Sequence, residues 1–239
     1  MEEETMLEPI VIAIDGPSGA GKGAVTHELA LRTGFHILDS GALYRLTGLA
    51  VRQDAVSFSD ETGIAAVAAN LDVAFLPVTG QPEPFKVTLR GEDVTDRIRT
   101  DAAGVDASVV AALPLVRSSL EQLQRRFRRA PGLIADGRDM GTVIFTDATV
   151  KIFLTASAEI RAERRYKQLK NKGMDVSLAA LLESIRDRDA RDATRAVAPL
   201  KPAEDAIIID SSHLSLQAVH EAVWAVVAEN ALSDANDFI

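Results

Sequence analysis

The sequence predicts an α/β fold in which a five-stranded parallel sheet is flanked by helices, with a small antiparallel insertion and a helical lid. Apolar runs typical of strands alternate with segments of helical periodicity, as in parallel α/β folds. The first run, residues 10–14, is continuously apolar and mostly β-branched, which favours a strand buried on both faces. Two further strand-like runs are joined by a loop rich in Pro and Gly, which indicates an antiparallel hairpin.

The predicted elements follow one another in a regular order. The core strands are expected at 10–14, 35–38, 133–135, 150–154 and 206–209. The first helix should end at Gly34, and the others are expected at 39–52, 101–110, 115–129, 158–171, 178–190 and from Ser215 onward. The hairpin strands are expected at 71–76 and 85–89, around a loop at 77–84. We therefore divide the chain into a core at 1–69 and 99–239, with a lid at about 156–200, and an insertion at 70–98.

The composition limits the classes of protein to which this chain can belong. Its 239 residues include 26 Lys and Arg against 35 Asp and Glu, a net charge of −9 that argues against binding of polymeric nucleic acid. The absence of cysteine excludes disulfides and thiolate metal sites. The acidic N-terminus differs from a signal peptide, and no apolar run is long enough to cross a bilayer. We therefore expect a cytoplasmic protein that binds no membrane.

A glycine-rich turn lies between the first strand and the first helix. Gly16, Gly21 and Lys22 have the spacing of a loop whose backbone N–H groups surround phosphate oxygens while the lysine reaches the terminal phosphates. The Ser or Thr that usually follows the lysine and binds Mg²⁺ is replaced by Gly23, and Ala24 comes next. The turn predicts a nucleotide-phosphate site without a hydroxyl ligand for the metal at that position.

Phosphoryl transfer also needs an acceptor site with cations around the transferred group. The arginines at 186, 188, 191 and 195 alternate with aspartates, a pattern typical of a solvated helix end but also of a mobile lid that closes over phosphates. Residues 136–139 follow a core strand, where α/β proteins bind ligands, although Asp-Gly is also a common turn. From the residues alone, both interpretations of each segment stay open.

Two other charged segments have simpler interpretations. Asp39 and Ser40 open a helix, which by itself indicates a helix cap, and Arg45 would be an exposed residue of that helix. The arginine run at 125–129 is interpreted as the solvated face of a helix, because no phosphate-site glycines alternate with it.

Four stretches spread over most of the chain resemble a known family, and they occur in the order found there. They are residues 14–23, 38–45, 132–143 and 195–200. The phosphate loop is shared with many kinases, whereas the runs Leu-Asp-Ser-Gly-Ala and Ala-Asp-Gly-Arg-Asp-Met-Gly are far more specific. The chain resembles the bacterial cytidylate kinases (CMP/dCMP kinases), which are P-loop nucleoside-monophosphate kinases. Ala24 departs from the family, in which Thr usually stands at that position.

The resemblance implies a site for ATP with Mg²⁺. The residues that would bind ATP by their positions are Gly16, Pro17, Ser18, Gly19, Ala20, Gly21, Lys22, Gly23, Ala24, Arg161 and Arg165. Asp136 would order the metal through its water shell. Phosphates and water would supply most of the remaining ligands.

The resemblance also implies a site for CMP or dCMP. Ser108, Arg117 and Asp139 would recognise the cytosine edge. The other residues around the acceptor would be Ser40, Arg45, Arg138, Arg188, Asp192 and Arg195. Arg45, Arg138 and Arg195 would hold the CMP phosphate and the transferred group. Arg188 and Asp192 would contact the sugar, and Ser40 would lie beside the acceptor. The cations that stabilise the transferred group would be Lys22, Arg138, Arg188, Arg191 and Arg195.

The reaction implied is direct in-line transfer of a phosphoryl group from ATP to CMP or dCMP, giving ADP and CDP or dCDP. Catalysis would come from positioning and from cationic stabilisation. Two alternatives stay open: a UMP/CMP- or AMP-type nucleoside-monophosphate kinase, and a non-catalytic nucleotide-binding regulator whose loop is weakened at Ala24. We expect the protein to be a monomer.

Overall fold

The computed structural model describes residues 8–80, 85–171, 173–195 and 197–231. The acidic N-terminal tail lies outside these residues, as does the second half of the predicted loop at 77–84. Ala196, within the fourth stretch that carries the resemblance, also lies outside them.

In chain order the strands and helices are β1 (Ile10–Asp15), α1 (Lys22–Thr33), β2 (His36–Asp39), α2 (Ser40–Gln53), α3 (Glu61–Ala69), β3 (Val73–Pro77), β4 (Phe85–Leu89), β5 (Glu92–Asp93), α4 (Asp101–Ala111), α5 (Pro114–Arg125), β6 (Gly132–Gly137), β7 (Val150–Thr155), α6 (Ala158–Asn171), α7 (Leu178–Ala193), β8 (Ile207–Asp210) and α8 (Leu216–Ala231). A short 3₁₀ turn covers Arg97–Arg99, and one turn of π-helix covers Met140–Ile144.

The predicted five-stranded parallel sheet is confirmed. Its strand order is β2-β6-β1-β7-β8, and every neighbouring pair is parallel. The central strand β1 is buried from Val11 to Asp15, which explains its continuous apolar run. Because all five strands run in the same direction, their carboxyl ends meet at one edge of the sheet, and the phosphate loop starts at that edge.

Helices flank the sheet as the sequence predicts. In α1, Val25 and Leu29 are buried one turn apart, and α1 packs against both α8 and β6. Gly34 ends this helix in the left-handed region, with φ of 70°, and its N–H donates to the carbonyl of Ala30. The end of α1 is therefore set by a residue whose conformation a side chain would strain.

The insertion is antiparallel, as predicted, but it has three strands in the order β3-β4-β5. The hydrophobic side of this small sheet is formed by Phe75, Phe85, Val87 and Leu89, all buried. The prediction missed β5, because this strand has two exposed acidic residues and no apolar alternation. It also missed α3, in which only Ile64 and Ala68 are buried, Val67 is partly buried against the core, and the other apolar positions are small alanines.

The predicted helix at 115–129 is wrong at its C-terminal end, because α5 stops at Arg125. Beyond this point the Phe127 ring packs against Phe75 of the insertion, with 6.0 Å between ring centroids. Arg128 turns inward, where it donates to the carbonyl of Pro9 at 2.9 Å and pairs with Asp147. The arginine run is therefore not one solvated helix face, since long-range contacts end the helix in its middle.

Helices α4 and α5 meet at a sharp bend. The segments Ala102–Ala111 and Pro114–Arg125 lie at 100° to each other. Among the residues that the structure describes, no single helix has the length and apolar composition needed to cross a membrane, and only this bent pair reaches them jointly.

Candidate active site

The phosphate loop joins β1 to α1 in a conformation that requires glycine. Gly16 has a φ of 149°, and a Cβ there would lie 2.0 Å from the carbonyl oxygen of Leu154. Gly21, the residue before α1, has a φ of 102° and offers no side chain to cap the helix. The first N–H groups of α1 are thus left for a ligand, and a phosphate is the group that such a helix start favours.

Lys22 is buried beside this loop, with 6% of its surface exposed. Its Nζ donates to the carbonyl of Pro17 at 3.2 Å and lies 3.4 Å from a carboxylate oxygen of Asp136. Burial lowers the pKa of Lys22, and repulsion from Arg138 lowers it further, while the charge of Asp136 opposes the shift. The ammonium is therefore held at the junction between the phosphate loop and the end of β6.

Three carboxylates lie at the carboxyl ends of adjacent strands. In the sheet register Asp136 is opposite Asp39 of β2 and opposite Ile14, the neighbour of Asp15 in β1. Burial raises the pKa of Asp136 to about 6, although Lys22 pulls it down, and burial likewise raises the pKa of Asp15 to about 6. These strand ends therefore form a compact acidic edge next to the lysine.

The donor atoms at this edge fit a magnesium ion that takes most of its ligands from phosphates and water. Within the described part of the chain, no group of three or more His, Cys, Asp or Glu side chains is arranged to hold a metal. Asp136, whose side chain is 13% exposed, offers one carboxylate beside the phosphate loop. Mg²⁺ commonly binds through one or two carboxylates together with substrate phosphates.

Helices α6 and α7, which fall within the predicted lid, contact the phosphate loop directly. Arg161 of α6 is 4% exposed, and its guanidinium donates to the carbonyls of Ala156 and Ser18 and pairs with Asp189 of α7. Arg188 of α7 donates to the hydroxyl of Ser18 at 3.2 Å. The predicted ATP residue Arg161 thus lies under the loop, and Asp189, which the sequence did not single out, fixes its guanidinium.

Asp192 of α7 joins the lid to the end of β6. The carboxylate is 2% exposed, accepts from Nε of Arg138 at 3.0 Å, and pairs with Arg195 through its other oxygen. Arg138 and Arg195, predicted to hold the acceptor phosphate, are thus brought together by one buried acid. The sequence expectation placed Asp192 at the acceptor sugar, whereas here its carboxylate is occupied by the two arginines.

A second cluster lies where α5, α2 and the end of β6 approach one another. Arg117 lies 3.5 Å from Asp139 and above the ring of Tyr44, 5.9 Å from its centroid. Burial raises the pKa of Asp139, while Arg117 and Arg195 oppose the shift. Two of the three predicted base-recognition residues are therefore in contact. Tyr44 was missed, although it stands in one of the stretches that carry the resemblance.

The remaining predicted acceptor residues are Ser40, Arg45 and Ser108. Ser40 is buried at the start of α2, and the preceding Asp39 caps that helix by accepting from the N–H of Ala42 at 2.9 Å. Arg45 donates to the carbonyl of Ile98 at 2.9 Å. Ser108 is exposed on α4 and donates to the carbonyl of Gly104 at 3.0 Å. Their roles at a ligand stay predictions.

Two predicted site arginines, Arg191 and Arg165, make no hydrogen bond or ion pair to the two clusters among the described residues. Arg191 is exposed, and among the described residues its one hydrogen bond goes to the carbonyl of Asp187 in its own helix. Arg165 is exposed and has no hydrogen bond or ion pair within the described ranges. The neighbouring Arg164 donates to the hydroxyl and the carbonyl oxygen of Ser211. The Ser211 hydroxyl in turn donates to the carbonyl oxygen of Ala20 in the phosphate loop. The roles of Arg165 and Arg191 at a ligand stay predictions.

The chain is similar to known proteins over nearly its whole length. Residues 12–229 match the family model described as cytidylate kinase. A cytidylate kinase of Pseudomonas aeruginosa (strain UCBPP-PA14) is 59% identical over 213 residues, covering 89% of this chain and 93% of that protein. Cytidylate kinases of Stutzerimonas stutzeri (strain A1501) and Azotobacter vinelandii (strain DJ) are 55% and 52% identical; each alignment covers 95% of this chain, and 100% and 99% of those proteins.

Proposed function

This chain belongs to the cytidylate kinase family, and we propose that it transfers the terminal phosphoryl group of ATP to CMP and dCMP. The structural observation that carries the proposal is the meeting of two charged groups at one sheet edge. The phosphate loop with Lys22 forms one group, and the Arg138–Asp192–Arg195 cluster forms the other. Between them there is cationic charge for both the donor and the acceptor phosphates.

On the donor side, the loop N–H groups and Lys22 bind the phosphates of ATP. The lysine is buried and tied to Pro17 and Asp136, so its charge needs little reorganisation as the phosphoryl group leaves. Arg188 approaches the same loop through Ser18. Asp136 would order the water shell of a Mg²⁺ ion bound with ATP, and the ion would supply charge neutralisation at the phosphates.

On the acceptor side, Arg138 and Arg195 hold the phosphate of CMP while Arg117 and Asp139 recognise the base. Cytosine offers a carbonyl and a ring nitrogen as acceptors and an amino group as donor, which an arginine and a carboxylate match. The attacking group is a phosphate oxygen that is already anionic near neutral pH. No general base is needed, and catalysis consists of alignment and charge stabilisation.

The division of the chain follows from these roles. We propose that the insertion at 70–98 belongs to the acceptor region and that the lid at about 156–200 closes over ATP, excluding water and limiting its hydrolysis. The direct bonds from Arg161 and Arg188 to Ser18 support a lid that closes on the phosphate loop. A monomeric state and a cytoplasmic location are also part of the proposal.

A coupled ADP-release assay over CMP, dCMP, UMP and AMP tests the proposed function. We expect CMP and dCMP to be phosphorylated with a much larger kcat/KM than UMP or AMP. Preference for AMP would indicate an AMP-type kinase, and equal use of UMP and CMP would indicate a UMP/CMP-type kinase. Binding of ATP without phosphoryl transfer to any of the four acceptors would support the nucleotide-binding regulator instead.

A further inference from the structure

Asp15 is a buried carboxylate in the site that neither the phosphate loop nor the arginine clusters use. It is the last residue of β1 and is 4% exposed. Its two oxygens accept hydrogen bonds from the backbone N–H groups of Met140 and Gly141, each at 2.8 Å. One side chain thus joins two segments that are 125 residues apart in the sequence.

The two amides that Asp15 binds open the π-helical turn directly after Asp139. The first N–H groups of such a turn have no partner within it. The far end of the turn closes on Asp139 itself, because Val143 and Ile144 donate to its carbonyl at 2.9 and 3.1 Å. The backbone that carries the Asp139 side chain is therefore held by Asp15 on one side and by the turn on the other.

The surroundings leave Asp15 and its partners little freedom to move. Gly16 follows Asp15 and lies close against β7, where a Cβ would come within 2.0 Å of the carbonyl oxygen of Leu154. In the sheet register Asp15 is paired with Gly137 of β6. At Gly141, a Cβ would come within 3.2 Å of the Lys151 side chain. A displacement of Asp15 would therefore be passed to the turn at 139–141.

We propose that Asp15 is a positioning residue for base selectivity. Its carboxylate holds Asp139 in the orientation that recognises cytosine, and it ties the turn at Met140–Ile144 to the start of the phosphate loop. Asp15 touches neither nucleotide in this role and acts through the Met140 and Gly141 amides. The inference rests on the proposed function, because it assumes that Asp139 recognises the base.

The Asp15→Asn variant tests this role, because the asparagine has the same shape but one of its two polar atoms faces the Met140 or Gly141 N–H with a donor. We expect the KM for CMP to rise and the CMP-to-UMP ratio of kcat/KM to fall by about 10- to 100-fold, the loss typical of a small misplacement at a reacting site. The KM for ATP should change less than about twofold. A folded variant with the wild-type CMP-to-UMP ratio would overturn the proposal.

A control for general destabilisation is Asp60→Ala, which removes another capping carboxylate whose hydrogen bond lies within its own turn. Asp60 accepts from the N–H of Gly63 at 2.9 Å and starts α3. This variant should lower the Tm and leave the CMP-to-UMP ratio unchanged. An equal fall of the ratio in both variants would mean that general destabilisation, not positioning, explains the effect.

A measurement on the wild-type protein covers the case in which Asp15→Asn does not fold. Hydrogen exchange followed by NMR should show the Met140 and Gly141 amides protected without nucleotide, at the level of the β6 core. Rapid exchange of both amides would overturn the proposal. The exchange result does not depend on activity. A wild-type protein that fails to phosphorylate CMP would count against the proposed function, whereas the exchange rates of the two amides would still test their hydrogen bonds to Asp15.

Discussion

The ammonium of Lys22 lies 3.4 Å from the carboxylate of Asp136, and both side chains are largely buried. The pair joins the start of α1 to the end of β6, the two elements that supply the donor and acceptor sides in the proposed function. Burial raises the pKa of Asp136 to about 6 even though Lys22 lowers it, so desolvation outweighs the attraction. The site therefore holds a carboxylate whose charged form is costly to maintain.

The cost of the Asp136 charge predicts a pH-dependent effect of Asp136→Asn on stability. Because the folded-state pKa is raised, the favourable contribution of this group is present below pH 4 and is lost as pH rises through about 6. The free energy of unfolding of the variant minus that of wild type should therefore increase from pH 4 to pH 7, by as much as about 3 kcal/mol. Urea unfolding at a series of pH values measures this difference.

The slope with pH, and not the absolute stability of Asp136→Asn, is the quantity to compare, since the variant also removes the partner of Lys22. The same series on the exposed Asp96→Asn provides the control. A difference that falls with pH would contradict the assignment of a raised pKa to Asp136.

Asp192→Asn should weaken both stability and acceptor binding. The buried carboxylate holds Arg138 and Arg195 through its two oxygens. Asparagine keeps only one acceptor oxygen and loses the charge, so one guanidinium faces a donor and both lose their ionic partner. We expect a loss of about 1–3 kcal/mol in unfolding free energy, which is below the usual range for buried pairs because Arg195 is partly exposed. We also expect the KM for CMP to rise about tenfold. The exposed Asp187→Asn on the same helix should change neither; equal effects of the two variants would refute this role of Asp192.

Base recognition should depend on Asp139 and Arg117 together. Asp139→Asn or Arg117→Gln should lower kcat/KM for CMP by about 100-fold or more, because a buried polar partner is left unmatched, while the KM for ATP stays within about twofold. Steady-state kinetics with CMP and UMP measure this. Gln122→Ala, an exposed change on the same helix, should leave the kinetics unchanged. A parallel loss of ATP affinity in the Asp139 variant would place that residue outside base recognition.

Ala24→Thr should strengthen ATP binding. Ala24 lies in the first turn of α1, where its N–H donates to the carbonyl of Gly21 at 3.1 Å. A hydroxyl at this position adds one donor near the phosphates, which corresponds to a decrease of about two- to tenfold in the KM for ATP. Ala24→Val has nearly the same shape without the hydroxyl and should show no decrease; if valine matches threonine, the added hydroxyl does not contact phosphate.

Local patterns were sufficient to predict the sheet, most helices and the phosphate loop. Strand β1 and the glycines after it are readable because burial on both faces and a tight turn each demand particular residue types within a few positions. The pattern was insufficient where distant contacts override it. The helix at 114–125 ends early because Phe127 and Arg128 pack against the insertion and the N-terminal strand region, which helical periodicity does not encode.

The sequence by itself determined the fold class and, through the resemblance, the set of residues expected around the nucleotides. Only the tertiary structure decided which side chains touch and which unpredicted residues hold them. Asp192 holds Arg138 from 54 residues away, Asp189 holds Arg161, and Asp15 holds the turn after Asp139. The physical reason is that parallel strands bring their carboxyl ends to one edge whatever their separation in the chain. Which charges then pair at that edge depends on burial and on backbone geometry in three dimensions.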